Sequence, residues 1–470
     1  MEHWGKKMIV RNLQLNNFRC FSNSEVTFEP DTTVFVAENG RGKTAILEGL
    51  TYLLGQYVKR FRGIATPTVK DSDFREEWMP RDGNGELVKE PRAPYMTLSA
   101  LADVSGTAGL LDSDECVLAW DLSRSRDKSE STLKQKKPET YGIKKILHYA
   151  DRFIDGDVNH TPFVYPVVAF YGTERAVPRR KIESGKTPHK EYRRSEAYRD
   201  ALSGTLSYRK MVEWLLYVED KERREIIAKH DFSHASIERD TIQYALEKML
   251  PGFSNLRTID NPLRLVVDVE ESGARRTCLV DQQLSDGYKI VLVLVLDIVL
   301  RILEANGGLP NMTPKMLLDA KGVVLIDEVD LHLHPSWQQH VLTDLRRTFP
   351  RLQFIVTTHS PHVVASVPKE NIRIISERGI RRLPGPTQGV EVQEILQRIF
   401  GTGPTAQELE IVGKLNRLIA LTDEGYGETA EWRLLYDELC AYYGDDYGPL
   451  KGTVMHRDFL RKIKRDALNA

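Results

Sequence analysis

Apolar positions along this chain recur with two spacings, and they sort it into strands and helices. Residues 8–36 read as paired strands: Ile9, Val10, Leu13 and Leu15 stand among polar positions, then Val26 and Phe28, then the unbroken run Val34-Phe35-Val36. A helical pattern opens at Ala45 and runs to about Leu54. Residues 60–94, rich in charge, Pro and Gly, read as a long irregular insertion. Strands follow near Tyr95–Ala102 and Cys116–Leu122, then a polar loop over 123–137 and a helix near 141–153. The run from Val164 to Tyr171 predicts a buried strand. Helical patterns cover about 207–230 and 234–250, and a strand pair covers 263–270 and 274–280. The apolar stretch 288–304 is strand-like by propensity, but its length, its Asp297/Arg301 spacing and the Ser-Asp-Gly before it predict a buried helix. Buried strands at 323–326 and 354–358 flank a helix over 336–349 with Pro335 at its first position, and 391–470 is mostly helical.

Composition narrows little beyond this. The chain has 470 residues, with 66 Lys and Arg against 67 Asp and Glu, so overall charge favours no polyanionic partner and only local patches can. One such patch is 178–194, where Arg179, Arg180, Lys181, Lys186, Lys190, Arg193 and Arg194 face only Glu183 and Glu191, with Tyr192 inside and Tyr198 beside it. It is a candidate DNA contact, with a solvated loop as the plainer reading. The four cysteines lie far apart with no metal or disulfide spacing, which suits reduced thiols. Met1 to Lys7 has no apolar core of a signal peptide, and the longest apolar run, 290–296, is too short to span a bilayer. A cytoplasmic protein is expected.

The chemistry lies at strand ends. After Val34-Phe35-Val36 comes Ala37-Glu38-Asn39-Gly40-Arg41-Gly42-Lys43-Thr44, and Ala45 opens the helix. Strand, Gly-rich turn and helix ending in Gly-Lys-Thr form a phosphate-binding loop, in which amides of the turn and helix start converge on one anion. Asn39, Gly40, Arg41, Gly42, Lys43, Thr44 and Ala45 are the candidate ATP-binding residues, with Lys43 on the β- and γ-phosphates and Thr44 on Mg²⁺. Ala37 stands where the motif usually has its first Gly. The second centre is Val323-Val324-Leu325-Ile326-Asp327-Glu328, a buried strand delivering two carboxylates to the sheet edge where ligands bind. Asp327 is expected to hold Mg²⁺ and Glu328 to polarise the attacking water. His359, after the strand 354–358, is placed to contact the γ-phosphate and that water. His332 and His334 lack further ligands at zinc spacing. Ser285-Asp286-Gly287 opens the helix 288–304 and forms a second anion-binding helix start.

In this order the motifs resemble those of an ABC-type ATPase of the SMC/RecF-like group. Leu13 to Phe21 resembles the opening strand of such heads; Walker A (37–44), signature (284–289), Walker B (323–328), D-loop (331–334) and switch His359 follow over residues 8–400. "LSDGY", "LIDEVDLHLHPSWQQ" and "FIVTTHSP" are most similar to the PtuA ATPases of Septu systems and their retron-associated relatives. The implied fold is α/β, an ABC-type P-loop NTPase head: a mixed central sheet flanked by helices, with an inserted lobe and a helical C-terminal extension. The corresponding division is an ATPase lobe over 1–60, strands, loops and helical insertion over 61–280, a second ATPase lobe over 281–390 and the extension 391–470. Asp286 replaces the glycine common in transporters, and no Q-loop glutamine can be assigned. The spacer from Thr44 to Leu284, about 240 residues, is too short for a long coiled coil and shows no sustained heptads.

The resemblance implies a homo-oligomer built on head-to-tail dimers, with two ATP molecules at the seam and Ser285, Asp286 and Gly287 acting in trans. It also implies anti-phage defence, a PtuB-like HNH nuclease subunit as partner, action on DNA, and a slow regulatory turnover. Two readings from other classes stand beside it: a RecF-like DNA-repair ATPase and a non-hydrolysing nucleotide-bound scaffold. Trp432, Leu434, Leu435, Leu439 and Tyr442, at helical spacing, are candidates either for partner docking or for core packing, with core packing favoured.

Overall fold

Four strands buried along their whole length set the frame. In the computed structural model, β1 (Ile9–Phe18), β2 (Phe21–Thr27) and β3 (Thr32–Val36) lead into α1 (Lys43–Val58). The structure describes residues 8–76, 78–80, 87–89, 92–104, 117–129, 132, 140–160, 163–175, 193–260, 262–271, 273–377, 379–401, 409–444 and 446–468, with the side chains of 78–80, 87–89 and 464–468 left out. The basic segment 178–194 therefore lies outside the described residues except for Arg193 and Arg194, as does much of 77–139.

The chain continues through the small hairpin β4 (Trp78–Pro80) and β5 (Leu87–Lys89), then β6 (Tyr95–Asp103), β7 (Val117–Ser125), α2 (Lys144–Val158) and β8 (Val167–Tyr171). Next come α3 (Tyr208–Lys229), α4 (Ile237–Met249), β9 (Phe253–Ile259), β10 (Arg264–Glu271) and β11 (Ala274–Leu279). They are followed by α5 (Asp286–Asn306), α6 (Pro314–Leu318), β12 (Gly322–Ile326), α7 (Pro335–Gln338), α8 (Val341–Thr348) and β13 (Leu352–Thr358). The set ends with α9 (Pro361–Ala365), β14 (Ile372–Ser376), β15 (Gly379–Arg382), α10 (Val392–Ile399), α11 (Glu410–Asp423), α12 (Ala430–Tyr443) and α13 (Gly448–Leu468).

The six-stranded sheet runs β15-β14-β3-β13-β12-β8, parallel except for the edge strand β15. β3, β8, β12 and β13 are buried at every residue, as expected of parallel strands covered on both faces. The antiparallel sheet β2-β1-β6-β7 carries the alternating burial of a one-sided layer, clearest in β1. Between the sheets lies α1, hydrophobic nearly all round. Its Tyr57 joins Phe61, Tyr149, Phe153, Tyr165 and Tyr198 in an aromatic cluster with ring centroids 4.9–6.0 Å apart. Packing of this kind fixes the P-loop helix against β8. The mixed sheet, its helices and the phosphate-binding turn make the fold an ABC-type P-loop head.

α5 is a helix despite its β-branched run. Ser285 caps it through Oγ, and nearly every later residue is buried. Asp297 and Arg301, which interrupt the apolar pattern, pair inside the core at 2.7 Å. Tyr171 donates its OH to Asp297 at 2.8 Å, and Arg301 donates to Ala197 O at 2.7 Å. Two places depart from the sequence reading. The expected helix 336–349 is broken between α7 and α8, and β9 joins β10 and β11 to make three strands where two were expected.

By internal packing the chain divides into residues 1–392 and 393–470. Within the second unit, Leu415, Leu418, Leu421, Trp432, Leu439 and Leu450 form a core, and Trp432 donates its indole N–H to Thr422 Oγ1 at 2.7 Å. Leu435 is half-buried against that core, while Leu434 and Tyr442 are exposed. No helix among the described residues is long and apolar enough to cross a membrane.

Candidate nucleotide-hydrolysis site

Parallel order places four strand ends side by side. β3, β13, β12 and β8 are neighbours in that order, with Val36 level with Thr358, and Ile326 level with both Val356 and Tyr171. The chain leaves these four ends through the 37–44 turn, His359, Asp327-Glu328 and Gly172-to-Arg175 respectively. All four segments lie at the carboxyl edge of the sheet, where open α/β folds bind ligands.

The turn after β3 has two residues in left-handed backbone, Gly40 (φ 77°) and Gly42 (φ 97°). Gly42 is required twice over: a Cβ there would come within 2.5 Å of Cys20 Sγ in the β1–β2 turn and 2.8 Å of the Phe21 ring at the start of β2. Ala37 keeps φ negative and is buried, so its methyl group needs no special backbone. The first intrahelical bond of α1 is Ile46 N–H to Gly42 O at 3.1 Å. No side chain caps the helix, leaving the amides of Lys43, Thr44 and Ala45 for an anion. Lys43 folds back over the loop, donating from Nζ to Ala37 O (2.8 Å) and Glu38 O (3.1 Å). Burial lowers its pKa, against the opposing pull of Asp327, Glu328 and Asp330. Asn39 and Gly40 are exposed, and Arg41 is held between Glu38 and Glu377 at 3.0 and 2.9 Å.

Across the sheet, Thr44 Oγ1 donates to Asp327 Oδ2 at 2.8 Å, joining residues 283 apart in sequence. Asp327 Oδ1 accepts from Thr357 Oγ1 at 2.5 Å, and the same hydroxyl accepts the Glu328 N–H at 2.7 Å. Glu328 takes a left-handed backbone, φ 48°, uncommon for a residue with a long side chain. Its flanks are pinned: Asp327 N–H donates to Tyr171 O at 2.8 Å and Val329 N–H to Thr357 O at 2.9 Å. Thr358 Oγ1 donates to Asp330 Oδ1 at 2.5 Å, and His359 comes next in the chain, half-buried. A hydroxyl and a carboxylate converging beside an ammonium and uncapped amides fit a magnesium triphosphate, since Mg²⁺ takes oxygen donors.

The Ser285-Asp286-Gly287 turn has its described contacts elsewhere in the chain. Gly287 approaches His332, whose carbonyl would lie 2.9 Å from a Cβ built there. Tyr288 packs edge-on against Trp337 with centroids 4.8 Å apart. Asp286 is exposed and bridges to the buried Lys289 at 3.1 Å.

Two residues of the site carry no motif. Thr357 sits in a strand already read as buried, and its hydroxyl had no visible partner from sequence. Arg175 comes shortly after β8, is 1% exposed, and donates from Nη1 to Asp327 O (2.5 Å) and Gly172 O (2.9 Å) and from Nη2 to Glu328 O. A cation placed just beyond a fully apolar strand was the available signal.

Residues 12–251, half of the chain, match the family described as "AAA domain", and a second AAA-domain family matches residues 174–365. The chain belongs to the AAA-domain family. This AAA-domain protein is an ATPase, and two retron relatives are named as probable ATPases. It is 27% identical over 457 residues to the "Retron Ec83 probable ATPase" of Escherichia coli, covering 84% of this chain and 77% of that one. It is 30% identical over 169 residues to the "Septu protein PtuA" of Bacillus mycoides, covering 34% of this chain and 22% of the relative. Among solved structures, the SMC head bound to the C-terminal winged-helix domain of ScpA aligns with TM-score 0.44 and 16% identity over 80% of this chain and 97% of that one. The AAA-domain ATPase is thus a relative of the retron and Septu proteins.

Proposed function

We propose that this AAA-domain ATPase binds Mg²⁺–ATP at the 37–45 turn and hydrolyses it within a head-to-tail dimer, as the ATPase subunit of an anti-phage defence complex. The single observation that carries the reading is the Thr44–Asp327 hydrogen bond at 2.8 Å, which unites the P-loop helix and the Walker B strand in one oxygen-lined centre. Asn39, Gly40, Arg41, Gly42, Thr44 and Ala45 supply the phosphate cradle, and Lys43 exchanges its two carbonyl partners for phosphate oxygens. Mg²⁺, when bound by Thr44 and Asp327, neutralises charge building on the phosphates. Glu328 orients the attacking water and accepts its proton while the water oxygen bonds to the γ-phosphorus and the bond to the β-phosphate oxygen breaks. His359 steadies the γ-phosphate. Ser285, Asp286 and Gly287 of the second copy close the pocket, their helix start meeting the γ-phosphate. Loss of that phosphate removes the bridge, so nucleotide state sets assembly and a partner HNH nuclease is gated on DNA, with 178–194 as a contact. Similarity to the retron and Septu proteins supports the defence assignment.

Phosphate release from wild type, Lys43→Ala and Glu328→Gln tests the site. Lys43→Ala is expected to lose nucleotide binding, and Glu328→Gln to bind ATP normally while turnover falls by about a hundredfold or more. Equal rates for wild type and Glu328→Gln would instead favour a nucleotide-bound scaffold.

A further inference from the structure

Glu328 is asked to hold a water with its side chain while its backbone occupies a left-handed conformation that strains a non-glycine residue. Such a conformation persists only where its surroundings over-determine it. The amides on that stretch are held from the sheet side, by Tyr171 O, Thr357 Oγ1 and Thr357 O. Its carbonyls also need donors, and the Glu328 carbonyl takes one within the turn, the Leu331 N–H at 2.9 Å. Arg175 adds to this from beyond β8: one planar guanidinium reaches the carbonyls of both Asp327 and Glu328, and anchors itself on Gly172 O.

The choice of residue is informative. A buried guanidinium is costly unless paired, yet this one spends its donors on neutral carbonyls and leaves Nε without a partner among the described residues. Its compensation is the field of Asp327, Asp330 and Glu328, the acids whose strand end it holds. Satisfying those carbonyls alone would not require burying a full charge, whose desolvation is costly.

We infer that Arg175 is a positioning residue for hydrolysis, fixing the Asp327 and Glu328 peptide planes so that the Glu328 carboxylate meets the attacking water. The inference rests on the proposed role of Glu328. A lysine at 175 keeps the charge but replaces the rigid planar fork with one flexible ammonium, so it cannot hold both peptide planes in the same geometry. A shift of about 1 Å in a catalytic group can cost on the order of a hundredfold in rate.

The test combines Arg175→Lys, Arg175→Ala and Glu328→Gln, singly and paired, with nucleotide affinity, kcat and melting temperature measured on each. Arg175→Lys is expected to fold and to bind ATP within about threefold of wild type while kcat falls about tenfold or more, with a larger fall for Arg175→Ala. In the Glu328→Gln background, either substitution at 175 should cost far less than it does in wild type, because the carboxylate it aims at the water is gone. Wild-type kcat in Arg175→Lys, a loss located in nucleotide affinity, or a loss of the same factor in the Glu328→Gln background would each overturn the inference. If Arg175→Ala fails to fold, the lysine variant decides alone. A Glu328→Gln enzyme with wild-type kcat would sink the role of Glu328 itself, whereas a crippled Glu328→Gln beside a fully active Arg175→Lys would sink only the role of Arg175.

Discussion

Glu304, near the end of α5, has a side chain only 1% exposed, and neither carboxylate oxygen has a hydrogen-bond partner among the described residues. Lys210 Nζ lies 3.8 Å away; Arg301 also favours the charged form, while Asp297 and Glu196 oppose it. Burial dominates and raises the Glu304 pKa above the ordinary carboxylate value. For an acid this means that the folded state holds its proton to higher pH than the unfolded chain does. Stability from this group is therefore present in acid and is lost as pH rises from the unfolded pKa through the folded one. Glu304→Gln removes the titration, so its melting temperature should gain on wild type as pH rises through the range above the ordinary carboxylate value. A difference that stays constant across that range would contradict the assignment. At the same scale, what the sequence showed of the site depended on whether a residue lay in a motif. Lys43, Thr44 and Asp327 were legible because glycines and apolar strands announce them. Thr357 and Arg175 were not, since a threonine suits any strand and the Arg175 partners lie 152 and 153 residues away.

Among the elements, α5 and the turn beyond Glu328 behave as one piece. Gly287 lies under the His332 carbonyl, and a methyl group there would meet that oxygen at 2.9 Å, backbone against backbone with no flexible end to yield. Gly287→Ala should therefore lower unfolding stability by about 1–3 kcal/mol in urea titration, as overpacked sites do. An unchanged midpoint would mean that the two turns separate freely. This contact within one chain is a reason for glycine at 287 independent of any role in trans. The buried strands and α5 could be read from the sequence because their apolar runs are long. β9 could not, because only Phe253 and Leu256 face inward and the alternation is too weak. The break between α7 and α8 was hidden for a similar reason: Gln339 and His340 fit a helical pattern, and Trp337 still packs against the His340 ring across it.

For the whole molecule, near-equal numbers of acidic and basic residues mean that attraction to a polyanion must come from patches such as 178–194 rather than from net charge. The α/β head was legible from the order of its motifs. The second unit was legible only as helical, since its core depends on which face of each helix turns inward: Trp432 and Leu439 do, Leu434 and Tyr442 do not. The proposed dimer makes one demand on the entire chain, that two copies share each nucleotide. Light-scattering mass of the Glu328→Gln protein, with and without Mg²⁺–ATP, tests this most directly. The account predicts that the mass of the ATP-free species doubles on adding nucleotide, and that a Ser285→Arg change in the same protein prevents the doubling without weakening ATP binding. The same mass with and without ATP, or a doubling indifferent to Ser285, would contradict it.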